Sequence, residues 1–80
     1  RSFWRYQMFE DKTVAGVVSG MILDVGKRLN ASLIQVQENC STVEFERYRK
    51  AVAQLMSEML IEVLNPIYSR HPELKPGELE

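Results

Sequence analysis

One cysteine and one histidine stand among the 80 residues of this chain, and their scarcity removes several classes of protein at once. With Cys40 alone, no disulfide can close within the chain and no multi-cysteine zinc site can be built. With His71 alone, a histidine-rich metal centre is also excluded. An excess of either charge is missing too: ten Lys and Arg against eleven Asp and Glu leave a formal charge of −1. The chain therefore has neither a broad basic surface for a nucleic-acid backbone nor an acidic block that imitates one. Long apolar runs are absent. The uncharged stretch from Thr13 to Leu23 is 11 residues, against the roughly 20 that a membrane span requires. No secretory leader is visible, because Arg1 to Arg5 is followed by aromatic and acidic residues in place of an apolar stretch. Together with the single thiol, this favours the cytoplasm.

What is present is ordinary for a folded domain: 45% apolar and 26% charged residues. A chain this short buries only about 60–65% of its unfolded surface, so a lone core is marginal. Disulfides and metals are excluded by composition, and the reinforcement left is oligomerisation.

The segment "TVAGVVSGMILDVGKR", residues 13–28, has the glycines and lysine of a phosphate loop but not the spacing. Five residues separate Gly20 from Gly26, and Lys27 is followed by Arg28, so no hydroxyl is placed to reach magnesium. Its periodicity is helical. Val14, Val17, Val18, Met21, Ile22, Val25, Leu29, Leu33 and Val36 recur at spacings of three and four. They fill an arc of roughly 160° at 100° per residue. Asp11 or Thr13 can cap the start, and a helix is expected over about residues 13–38. Ala15, Gly16, Ser19 and Gly20 form a small-residue patch beside the arc. Each helical glycine costs about 1 kcal/mol against alanine, which suggests a surface that another backbone or a flat ring approaches closely.

Residues 39–41 read as a turn, and Ser41 with Glu44 makes a capping box for a second helix over about 42–65. A connection of about three residues makes the two helices antiparallel. Pro66 cannot donate to the carbonyl of Glu62 and clashes with it, so the helix kinks or restarts there. Asn65 as cap and Pro66 as first residue would restart one short turn through 66–70, with residues 72–80 as a flexible tail. No strand signal appears. The expected fold class is all-α: an antiparallel helical hairpin over 11–71, preceded by an aromatic N-terminal arm at 1–10.

The apolar arc of the second helix is about 180° wide, more than one facing helix covers. Tyr48, Val52, Leu55, Met56, Met59, Leu60, Val63 and Leu64 are therefore the expected interface of a homodimer in which two hairpins pair as a four-helix bundle. The arm holds Phe3, Trp4, Tyr6 and Phe9, four of the seven aromatic residues, with Arg1 and Arg5. Such a segment can stack on single-stranded nucleic acid or lie at a membrane surface. Two cations are few for four rings, and the favoured reading packs the rings into a trough formed by Gly16, Gly20 and Leu23.

Catalytic constellations do not assemble. Glu58 and Glu62 lie one turn apart without the Glu-x-x-His motifs of a bundle di-metal site. Cys40 falls at the turn and His71 near the other end of the hairpin, about 35 Å apart at 1.5 Å per residue, too far for a nucleophile–base pair. The cations of "ERYRK", 46–50, point to different sides of a helix and make no phosphate stripe. Asn30 and Asn39 begin glycosylation sequons but are expected to be unmodified. The sequence thus predicts a small non-enzymatic helical protein with no cofactor or metal. Its expected role is that of a homodimeric interaction or regulatory module with a possible protein partner. A nucleic-acid-associated accessory protein using the arm is the alternative.

Overall fold

Asp11 sets the start of the first helix. Its carboxylate accepts hydrogen bonds from the backbone N–H groups of Thr13 and Val14, at 2.8 and 3.2 Å, so two otherwise unpaired donors are satisfied. In the computed structural model, which describes residues 9–76, this helix, α1, runs Lys12–Asn39. Its 28 residues span about 42 Å at 1.5 Å per residue, and this length sets the 45 Å long dimension of the molecule.

The chain turns at Cys40 and Ser41 and enters α2, Thr42–Met59. The capping box forms as the sequence predicts: the Ser41 hydroxyl accepts from the Glu44 N–H, and the Glu44 carboxylate accepts from the Ser41 N–H. So short a connection leaves α2 antiparallel to α1. The molecule is an all-helical hairpin, with no strand among the described residues.

After Met59 the helix does not stop and restart. Residues Leu60–Leu64 form a π-helical turn that passes without a break into α3, Asn65–Arg70. Asn65 is itself helical (φ −61°, ψ −44°) and donates to the carbonyl of Leu60, five residues back, so it is not the extended cap that the sequence suggested. The cause is Pro66, which has no N–H and whose ring would strike the carbonyl of Glu62 in a regular α-helix. The wider turn accommodates the ring while the chain stays helical.

The extra residue in the turn also sets which side chains of α3 face α1. Ile67 and Tyr68, just beyond the π turn, reach α1 and form a buried cluster with Leu64 and Ala15. Val18, Ile22, Leu23, Val63 and Leu74 pack around it. Leu74 belongs to a 3₁₀ turn, Pro72–Leu74, so the first residues of the expected loose tail are folded onto the hairpin.

Candidate functional site

α1 turns one edge of its apolar arc inward: Val18 and Ile22 pack against the buried cluster, and Leu29, Leu33 and Val36 are half-buried. Ala15 and Ser19 are its buried residues, at 0% and 4% exposure. Val14, Val17, Met21 and Val25 remain exposed, Val17 at 68% and Met21 at 55%. On a helical projection Ala15 and Ser19 are centred about 100° from the middle of the apolar arc. Small side chains explain the offset: Ala15 and Ser19 let α3 come close enough to bury Ile67 and Tyr68, which the bulk of valine would hold off. The Ser19 hydroxyl is satisfied inside its own helix, donating to the carbonyl of Gly16 at 3.2 Å.

The hairpin therefore has two dissimilar flanks. One carries the row Val14, Val17, Met21 and Val25 on α1, and Leu55 of α2 is also exposed. The other holds a cleft of about 560 Å³ between α1 and the junction of α2 with the π turn. Ile22, Leu23 and Gly26 of α1 line it, opposite Met56, Met59, Leu60 and Leu64. Lys27, Asn30 and Ser57 supply its polar groups, and Pro76 closes one edge. The volume lies within the range of about 300–1,000 Å³ typical of sites for small apolar groups. At Gly26 the helices are already close, since a Cβ there would lie 3.8 Å from Met56 Cε.

The residues expected at a dimer interface divide between inside and outside. Val52 and Leu64, at 1% and 6% exposure, are covered by their own chain. Val63 packs against the buried cluster. Tyr48 is half-buried and its hydroxyl lies 2.6 Å from Ser32 Oγ on α1. Met56 and Met59 are half-buried along the cleft, and Leu55 and Leu60 stay exposed. Ile67 and Tyr68, which bury the end of the helix against α1, continue the three-four spacing of Val63 and Leu64 but lie beyond Pro66, where the second helix is expected to end.

Of the arm residues, Phe3, Trp4 and Tyr6 lie outside the described residues. Phe9 is exposed, with its backbone in the left-handed region at φ 62°, where a bulky residue is uncommon. Its carbonyl oxygen lies 2.8 Å from Nε2 of the buried His71 ring. Of the expected trough, Gly16 faces Leu74, whose Cδ2 would be 3.9 Å from an added Cβ, and Gly20 faces open space. Leu23 packs against the core and lines the cleft.

Charge and chemistry are sparse. Glu73 bridges Lys12 at 3.3 Å and stands 3.8 Å from His71 Nδ1. Its carboxyl is held below the usual value, first by a hydrogen bond from its own backbone and then by Lys12 and His71. Arg49 does the same for Glu46 through a hydrogen-bonded ion pair at 2.8 Å. Burial pushes the Tyr68 phenol up, and its hydroxyl has no hydrogen-bond partner among the described residues. Among those residues no three His, Cys, Asp or Glu side chains gather as a metal site, and no helix is long and apolar enough to cross a membrane. Cys40 is exposed at the turn, and His71 follows α3, at the other end of the hairpin. No protein-family model, curated protein or solved structure matches the chain.

Proposed function

We propose that this protein is a non-enzymatic interaction module that works as a homodimer, two hairpins pairing flank to flank as a four-helix bundle. The observation that carries the reading is the exposed row Val14, Val17, Met21 and Val25. A second copy related by a two-fold axis presents the same row, so one patch serves both sides of the interface. Each half-exposed Val, Leu or Met gains roughly 1 kcal/mol on burial, about half the value for burying a whole side chain. The row and Leu55 together therefore contribute several kcal/mol per chain. A hairpin whose buried apolar core, among the described residues, is Ala15, Val52, Leu64, Ile67 and Tyr68 has reason to use that contribution, because small single cores are marginal.

Light scattering over a concentration series tests the reading. The expected result is twice the chain mass, with a melting temperature that rises with concentration. Met21→Lys should shift the mass to that of one chain while Gln54→Lys leaves it unchanged. A wild-type protein of single-chain mass throughout the micromolar range would refute dimerisation.

A further inference from the structure

The cleft on the other flank is apolar at one end and polar at the other. We propose that it binds a small anionic amphiphile, a straight acyl chain ending in a carboxylate. The chain lies at the end nearer α3 and the carboxylate meets Lys27. A second copy seated on the valine row leaves this flank open, so the site stands apart from the dimer.

Three observations carry the proposal. The first is the order of the lining along the helices. A Cβ on Gly26 would lie 3.8 Å from Met56 Cε, and this pair fixes the register of the two walls. Ile22, Leu23, Leu60 and Leu64 wall the end nearer α3. Lys27, Asn30 and Ser57 all lie nearer the hairpin turn than these. Ile22 and Asn30 are about 12 Å apart along α1 at 1.5 Å per residue. A guest that is apolar throughout would cover the polar groups without replacing their water. A molecule divided the same way as the cleft suits both ends.

The sign of the charge is the second. Lys27 is the one charged residue in the lining among the described residues, and no carboxylate stands there. The four ion pairs among the described residues do not include Lys27. Asp24, three residues back on α1, is held by Arg28 at 3.2 Å. The ammonium group, the Asn30 amide N–H and the Ser57 hydroxyl can all donate, which is what a carboxylate needs.

The third is shape. About 560 Å³ suits a small molecule, and Pro76 closes one edge, as befits a guest that ends inside. Met56 and Met59 are unbranched and adjust to a flexible chain.

The test titrates hexanoate, octanoate and decanoate, each below its micelle concentration, into the full chain. One molecule should bind per chain, with affinity rising about three- to fourfold for each added CH₂. Decyltrimethylammonium, of the same chain length and opposite charge, should bind far more weakly than decanoate. Lys27→Met should lower the affinity for decanoate several-fold and leave that for neutral decanol unchanged. Leu60→Gln, at an exposed cleft residue, should weaken both while the helical circular dichroism is kept. With ¹³C-methyl methionine, decanoate should shift the Met56 and Met59 signals and leave Met21, on the opposite flank, in place. The proposal is overturned by the absence of saturable decanoate binding, or by equal affinity for the two charged probes. Decanoate affinity that ignores Lys27→Met, or shifts at Met21 in place of Met56 and Met59, would overturn it as well.

Discussion

His71 Nε2 and the carbonyl oxygen of Phe9 lie 2.8 Å apart across 62 positions of sequence. A carbonyl only accepts, so the proton of this contact sits on Nε2, and Nδ1 faces the Glu73 carboxylate. The ring thereby ties the approach to α1 to the end of α3. His71→Ala should destabilise the fold by on the order of 1 kcal/mol. That corresponds to a fall of roughly 4–8 °C in melting temperature for a domain of this size. Thermal unfolding at matched protein concentration checks it.

Glu73 gives the same corner a pH dependence. Its folded-state pKa is lowered, first by its own backbone hydrogen bond and then by Lys12 and His71. A depressed carboxylate adds stability above its unfolded pKa and loses it as pH falls through the folded value. Glu73→Gln should therefore melt slightly below wild type at neutral pH, and the gap should close as pH drops through the carboxylate range. A gap that widened toward acid would mean the carboxylate is disfavoured in the fold.

The contact between Ser32 and Tyr48 fixes how α2 lies along α1. Ser32 Oγ stands 2.6 Å from both the Leu29 carbonyl and the Tyr48 hydroxyl. With its one proton given to the carbonyl, the serine accepts from the tyrosine. Tyr48→Phe and Ser32→Ala should each cost about 1 kcal/mol. In a double-mutant cycle the pair should cost less than the two single changes together. Strict additivity by chemical denaturation would show that the contact contributes nothing.

Gly20 is an exposed helix-interior glycine whose missing Cβ faces open space. Gly20→Ala should therefore stabilise the protein by about 0.5–1 kcal/mol through the unfolded chain. A lower melting temperature would show that something in the full molecule sits on that glycine.

Local chemistry makes much of this architecture readable. The Asp11 cap and the Ser41–Glu44 box depend on near neighbours in sequence, and both form, with Asp11 and not Thr13 as the cap; the turn is two residues and not the three expected, because α1 continues through Asn39. The inward face of α1 is not readable in the same way. A hydrophobicity count weights Val17 and Met21 above Ala15 and Ser19, whereas close packing of α3 favours the smaller pair. Pro66 shows that the second helix must change at about residue 65 but not whether by a break or by a wider turn, because that choice depends on what Ile67 and Tyr68 meet on α1. The cleft is less legible still. Periodicity marks Met56 and Leu60 as apolar and leaves Leu23 on the back of its helix, but that they share one hollow depends on the angle between helices.

The π turn also holds one residue of spare chain. Its hydrogen bonds reach five residues back where those of an α-helix reach four, so α3 is oriented as in a regular helix one residue shorter. Leu60, Ile61 and Glu62 are all exposed, and losing Ile61 removes no buried side chain. The turn would then close to ordinary helical geometry with Ile67 still against Ala15 and His71 still beside Phe9. Pro66 is the obstacle, since its ring would meet the carbonyl four residues back. Deleting Ile61 together with Pro66→Ala should therefore keep the cooperative melt of the hairpin. Deleting one residue from the middle of α1 should abolish it, because everything on one side would swing by about 100°. A helix normally accepts a new side chain far more readily than a lost residue. Here the protein has a place where it can change length without changing shape.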